Sequence, residues 1–351
     1  MRCCSSARPW RRWSRANASR STAAPANRLI TDRPSGGIRA AMTATCPVCA
    51  GPGAVIRHLG ADEIARGLTA VFGAAPPAGA VPGDYDIVRC ADCGLVYADP
   101  MLAGGAAFYD WLTGFAKYHA QGRWEWARIK DVLADEGRAL RLLELGAGQG
   151  DFLATLSDLP QISAEGIDLS ESSVRKAQAR GLDVRRDTLE QVIAKAAGTY
   201  DAVVLSHVLE HVATPGALMG AVKNLLAPKG RILFSVPYSP MSREYLHDDV
   251  MNLPPHHMTR WNISALGGLA RVLGLELETW MPKAKAPWKR ALKHTCDKIK
   301  GEGRVRGLAR LPVVLANWGE FRRILADHRN RERVGGQMAA DTILVSLKKQ
   351  A

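Results

Sequence analysis

An α/β fold built on a parallel sheet with helices on both faces, preceded by a small four-cysteine module, is predicted by three features of this 351-residue chain. From residue 140 onward, short apolar runs alternate with amphipathic stretches, the pattern of strands and crossover helices in a sheet covered on both faces. The first run, "RLLELGAGQGDF" at 141–152, ends in three glycines and opens a helix, bringing backbone amides and a positive helix end against a ligand. Upstream, two Cys-x-x-Cys pairs, Cys46/Cys49 and Cys90/Cys93, mark the separate module.

Composition narrows the class. At 47% hydrophobic residues the chain has enough apolar material for one sizeable core and a smaller unit. No run approaches the roughly eighteen apolar residues of a membrane span, so a soluble, cytoplasmic protein is expected. The net charge of +13 invites a nucleic-acid partner, but its distribution matters more than its sum. Residues 1–41 carry +8, residues 283–333 carry +10, and the body from 42 to 282 carries −6. Residues 1–41 are rich in Arg, Ser and Ala without apolar periodicity and read as a disordered basic extension. That composition fits a targeting segment, a basic binding arm, or sequence upstream of a true start at Met42, so Cys3 and Cys4 carry no weight.

The module is expected over 42–104. Two thiolates separated by two residues grip one face of a tetrahedral ion, and a second such pair closes the site with four sulfurs, as in a zinc ribbon. Gly94 and Gly51 stand where tight knuckle turns use glycine. The forty residues between the pairs exceed the usual spacing and require an insertion, with a small helix around "ADEIARGL". Four sulfurs leave no open coordination position, so the zinc is structural; a redox dithiol is the other use of such pairs. Cys296 reads as an ordinary thiol.

The core, expected over 105–282, follows in order. Aromatic and aliphatic residues at three-to-four spacing predict a helix over 108–133. Strands are predicted in "RLLELG" (141–146), "SAEGIDLS" (163–170), "LDVRRD" (182–187), "YDAVVLSH" (200–207) and "GRILFSVP" (230–237). Helices are predicted in "GDFLATLSD" (150–158), "ESSVRKAQARG" (171–181, ended by Gly181) and "PGALMGAVKNLLAPKG" (215–230, stopped by Pro-Lys-Gly). A helix in "NISALGGLARVLG" (262–274) and a strand in "LELETWMP" (275–282) complete the core. The basic segment 283–334 then precedes a final strand within 335–351, "DTILVSLK".

Two ligands compete for the glycine loop, a dinucleotide and S-adenosylmethionine. Gly146, Gly148 and Gly150 are spaced by two throughout, Glu144 stands two before the first, and position 151 holds no glycine, which disfavours Gly-x-Gly-x-x-Gly. Asp168, eighteen residues past Gly150 at the end of the next strand, is placed to accept both ribose hydroxyls of either ligand.

With "LLELGAGQGDFL", "GIDLSESSVRKAQARG", "YDAVVLSHVLEHVATPGALMGAVKNLLAPKGRILFSVPY" and "HHMTRWNISALGGLARVLGLEL" together, residues 105–349 resemble class I S-adenosylmethionine-dependent methyltransferases. The resemblance implies a Rossmann-like seven-stranded sheet whose last strand runs antiparallel. It implies that Glu144, Gly146, Gly148 and Gly150 surround the methionine part of the donor and Asp168 its ribose. Asp187 or Thr188 would meet the adenine edge, and Ser206 and His207 would line the pocket near the sulfonium.

Methyl transfer needs donor and acceptor in line, and a base only where the acceptor must lose a proton. Base candidates are His256 and His257, which follow Pro254-Pro255 at the carboxyl ends of the strands; His257 better matches the single histidine before an aromatic residue, here Trp261, in related enzymes. His207 and His211, four apart, offer a metal pair on one helix face, but the resemblance reads "SHVLEH" as a cofactor-side turn. Tyr118 is a candidate to close over the donor. The basic segment, emerging on the edge of the sheet that holds the site, is expected to form a lid over an anionic small-molecule acceptor, such as a sugar nucleotide or glycan precursor. A zinc module before such a domain also resembles sugar C-methyltransferases, without their further carboxyl-terminal domain or usual tyrosine, which leaves O- and N-methylation open. The alternatives are an RNA methyltransferase gripping phosphates with ribbon and lid, and a noncatalytic donor-binding protein.

Overall fold

The computed structural model describes residues 11–14, 44–115, 123–242, 244, 250–282, 286–300, 304–330, 333–334 and 337–350. Strand β1 (Arg11–Ser14) precedes the ribbon unit of β2 (Ala44–Thr45), β3 (Pro52–Leu59), helix α1 (Ala61–Phe72), β4 (Tyr85–Cys90) and β5 (Val96–Asp99). β2 to β5 pair antiparallel in sequence order. The insertion between the cysteine pairs forms the expected helix: α1 buries Ile64 and Leu68 against Leu59, Tyr85 and Ile87. Its end is set by Gly73, whose φ of 76° lets its N–H reach the Thr69 carbonyl at 2.8 Å.

The core begins with α2 (Ala106–Thr113) and α3 (Trp124–Ala134), two helices where the periodicity predicts one. Next come β6 (Leu140–Leu145), α4 (Asp151–Ala154), β7 (Ile162–Ile167), α5 (Glu171–Ala179), β8 (Val184–Arg185), α6 (Leu189–Ala196), β9 (Tyr200–Ser206), α7 (Pro215–Leu225) and β10 (Leu226–Pro237). Pro-Lys-Gly does not stop α7 as expected: the helix ends at Leu225, and those residues form a register shift inside β10 between Leu226 and Arg231. β11 (Thr259–Arg260), α8 (Ile263–Leu273) and β12 (Glu276–Met281) follow; α8 opens on Asn262, whose Oδ1 accepts from Ala265 N at 2.9 Å. The basic segment folds as α9 (Pro287–Lys300), α10 (Arg310–Ala316), α11 (Trp318–Arg329) and the hairpin β13 (Arg333–Val334) and β14 (Gln337–Met338), before β15 (Thr342–Lys348).

The strands assemble in the order β12-β15-β10-β9-β6-β7-β8, giving the expected seven-stranded sheet. β6 to β10 are parallel, and β15 is antiparallel to both β10 and β12. Chain path explains the reversal. β12 ends on the carboxyl edge, the basic segment stays on that edge, and the next strand has to run back.

Alternation along β9 divides the core, Val203 and Leu205 facing one side and Ala202 and Val204 the other. The first side also takes in Cys46, Val48, Cys90, Cys93, Leu95 and Tyr97, so the ribbon is packed into the same core as Leu209, Trp261 and Ala265. The ribbon sheet does not stop at residue 104 either. Its fifth strand is β11, which pairs Thr259 with Tyr97 and Arg260 with Val96. The disordered reading of residues 1–41 fails at β1, which adds an eighth strand beside β12 by pairing Arg11 with Met281 through Ser14 with Glu278. Main-chain ladder bonds hold such an edge strand without requiring apolar periodicity of its own.

Candidate functional site

The glycine loop joins β6 to α4. Gly146, Gly148 and Gly150 have φ of 70°, 55° and 78°, a region other residues enter only with strain. A Cβ on Gly150 would lie 2.5 Å from Leu182 and one on Gly146 2.9 Å from Val208, whereas at Gly148 it would meet nothing within 4 Å. The loop therefore packs closely at both ends and opens in the middle. Asp168 ties β7 to it: Oδ2 accepts from Gly148 N and Oδ1 from Ser170 N, both at 2.8 Å. Each carboxylate oxygen keeps a second lone pair for a hydroxyl.

Glu144, the last acid of β6, is 3% exposed, and among the described residues its Oε2 has no hydrogen-bond partner. Burial, and then the charge of Asp168, push its pKa well above the usual carboxylate range. A buried carboxylate oxygen without a partner costs stability, and a hydrogen-bond donor or cation reaching it would offset that cost. Asp187 lies 3.6 Å from Arg185 Nε and 3.8 Å from Lys195 Nζ. Thr188 is engaged in a capping box with Gln191 at the start of α6, so helix capping is its visible role.

At the end of β9, Ser206 Oγ accepts from Trp126 Nε1 at 3.3 Å. The next residue, His207, has a φ of 54° and is clamped between two buried acids: Nδ1 lies 3.0 Å from Glu210 Oε1 and Nε2 3.0 Å from Glu125 Oε1. Burial alone would lower its pKa, but the two carboxylates outweigh it and raise it to about 9. The same contact holds Glu210 below the usual range against its own burial. Neither acid belongs to the glycine-loop motif; a carboxylate flanked by two tryptophans, Trp124 and Trp126, is the signal that marks Glu125.

The positive φ also separates His207 from His211, which do not share a helix face. His211 joins His256 and His257 instead. His256 and His257 stack with ring centroids 4.4 Å apart and planes at 17°, and the His211 ring stands edge-on at 4.6 and 4.8 Å from them. Each Nδ1 donates to a carbonyl oxygen: His211 to His256 O at 2.7 Å, His256 to Met251 O at 2.8 Å, and His257 to Asn252 Oδ1 at 2.8 Å. Burial, followed by the neighbouring imidazoles, lowers His256 to about 3 and His257 well below its ordinary value. His256 is buried and His257 half-buried. Two residues further on, β11 enters the ribbon sheet, so the ribbon anchors this cluster.

In the ribbon, Cys46 Sγ lies 3.7 Å from Cys93 Sγ and Cys49 Sγ 3.4 Å from Cys90 Sγ. A tetrahedral ion with metal–sulfur bonds of about 2.3 Å places its sulfurs about 3.8 Å apart, so the four thiols fit zinc. Cys46 falls to about 5 through the hydrogen bond from Cys93. Cys296 is buried, its thiol donating to Arg310 O at 3.7 Å, as an ordinary thiol does. Tyr118 lies outside the described residues.

A family model described as a methyltransferase domain matches residues 117–279. A ubiquinone biosynthesis O-methyltransferase of Chromobacterium violaceum is 32% identical over 154 residues, covering 40% of this chain and 66% of that protein. One from a Caulobacter species is 35% identical over 100 residues, covering 27% and 39%. The chain thus spans less than two thirds of the length of these curated relatives. Among solved structures, an S-adenosylmethionine-dependent methyltransferase from Archaeoglobus fulgidus aligns at 14% identity with a TM-score of 0.41, over 64% of this chain and 92% of that one. Residues 117–279, which hold the glycine loop, Asp168 and strands β6 to β10, thus match a methyltransferase domain.

Proposed function

We propose that this protein transfers the methyl group of S-adenosylmethionine to an oxygen of a small-molecule acceptor held beside His256 and His257. The observation that carries the reading is the buried Oε2 of Glu144, without a hydrogen-bond partner among the described residues, behind a loop whose three glycines all take positive φ. Glu144 and the loop would hold the methionine part, Asp168 the ribose, Asp187 the adenine edge, and Ser206 and His207 the region of the sulfonium. The donor supplies a carbon already activated by its sulfonium, so positioning provides much of the rate. His257 stays neutral at physiological pH, and its Nδ1 proton is occupied by Asn252. Its Nε2 is therefore the nitrogen that takes the acceptor's proton.

Oxygen is favoured as the acceptor atom because the curated relatives carry the name O-methyltransferase. The basic segment supports an anionic acceptor. Arg290 of α9 lies 3.4 Å from Asp341, which also accepts from Ser242 N at 2.6 Å just past β10, so the segment is rooted at the carboxyl edge of the sheet. In the ribbon, Cys93 lies against Gly268 of α8 and Pro47 against Gly216 of α7. Those knuckles face the core, which supports a structural zinc and a small-molecule acceptor over a phosphate-gripping surface. The test is a metabolite screen with isotopically labelled donor, comparing wild type with His257→Ala. Label transfer by wild type that falls by about 100-fold or more in the variant is expected. Equal transfer by the variant removes His257 from the proton path, and a wild type that binds no donor by calorimetry overturns the whole reading.

A further inference from the structure

We infer that His211, His256 and His257 form a second metal site, distinct from the four cysteines, that takes a borderline divalent transition metal such as zinc, cobalt or nickel. One ring nitrogen from each lies within 4.8 Å of the other two. The hydrogen bonds leave one nitrogen of each ring as the candidate ligand. With all three Nδ1 protons donated to carbonyl oxygens, Nε2 is the unprotonated atom of each ring. Metal-ligating histidines are oriented in this way, the second nitrogen donating to a carbonyl or carboxylate that fixes the tautomer and raises ligand basicity.

The Asn252 amide is itself fixed, since its Nδ2 donates to Glu244 Oε1, which leaves Oδ1 facing His257. Imidazole nitrogens select this class of ion over calcium or magnesium, which prefer oxygen. Tetrahedral neighbours at bonds of about 2.0–2.1 Å stand about 3.4 Å apart, so ligand atoms that lie within 4.8 Å of one another close by at most about 1.4 Å on loading. Charge is compensated nearby, Glu210 Oε1 lying 3.9 Å from His211 Nε2, with the Glu210 Oε2 buried and partnerless among the described residues. Three protein ligands leave a position for water or an acceptor oxygen. With the ion bound, His257 would serve as a ligand in place of the base role given above, and the cation would lower the pKa of an acceptor hydroxyl enough for solvent water to take its proton. That role rests on the methyl-transfer reading; metal binding itself does not.

The full-length chain carrying its ribbon metal is titrated with cobalt(II), and bound metal is counted by elemental analysis. One further equivalent is expected, without the near-ultraviolet thiolate-to-cobalt charge transfer of a four-cysteine site. His257→Gln should weaken that equivalent by at least about 100-fold, and Asn252→Ala by about 10–100-fold, while donor affinity measured by calorimetry stays within about twofold. Absence of the further equivalent in wild type, or its full retention in both variants, overturns the proposal. Should the variants not fold, pulsed electron paramagnetic resonance of copper(II)-loaded wild type reads the ligands directly. Imidazole nitrogen couplings support the site, and their absence overturns it. Because these readouts detect metal, a protein that binds the ion yet methylates nothing refutes only the function proposed above.

Discussion

His207 Nε2 and Glu125 Oε1 meet at 3.0 Å, joining the turn after β9 to the helix that precedes β6. With Glu210 on the other ring nitrogen, the imidazolium is held between two acids, and its strained backbone is pinned by a 3.0 Å bond from its own N–H to Ser235 O.

The clamp gives stability a direction with pH. The folded pKa of His207, about 9, lies above its unfolded value near 6.5, so its contribution is fully present below pH ~6.5 and is lost as pH rises through about 9. Glu125→Gln should lower stability by about 2–3 kcal/mol at pH 6 and by much less at pH 9.5. Urea denaturation at the two pH values reads the difference. An equal loss at both would mean that His207 is not charged in the native state.

Glu144 should trade stability for donor binding. Its folded pKa is raised, so the donor-free protein must keep a proton on this buried carboxyl and loses stability as pH rises above the unfolded pKa, and the cost disappears as pH falls below it. Glu144→Gln is expected to raise the melting temperature of the donor-free protein at pH 7 while weakening S-adenosylmethionine binding by about 10–100-fold, the range for a charged hydrogen bond. Calorimetry and thermal denaturation on one preparation test both halves.

Adjacent glycines in α8 should respond with opposite signs. A Cβ on Gly268 would come within 2.5 Å of Cys93 Cβ, whereas one on Gly267 meets nothing within 4 Å. Gly268→Ala is therefore expected to cost about 1–3 kcal/mol as helix and knuckle are forced apart. Gly267→Ala should gain up to about 1 kcal/mol from helix propensity. With both variants loaded with zinc, loss of the ion from the Gly268 variant but not from the Gly267 variant, read with a chromogenic chelator, would locate the damage at the four-cysteine module.

Much of the architecture was legible because it rests on local signals. The parallel strands are short apolar runs, Gly146, Gly148 and Gly150 sit where positive φ is needed, and the cysteine pairs carry their own spacing. Misread elements were those in which local propensity lost to context. One apolar periodicity spans α2 and α3, Pro-Lys-Gly falls inside β10 rather than ending α7, and β1 is held by its pairing with β12.

The sequence by itself determined that a glycine loop, its preceding acid and the acid on the next strand form one site, since they are bound to neighbouring strand ends wherever the chain folds. It also determined that a four-sulfur site exists. Only the tertiary structure decided that the ribbon shares a core and a strand with the domain built on the parallel sheet. It likewise decided that Glu125 reaches His207 and that His211 leaves His207 for His256 and His257. Those partners are 82, 45 and 46 residues apart in sequence, and no local spacing encodes contacts that arise only when the sheet and the turn after β9 bring distant loops to one edge.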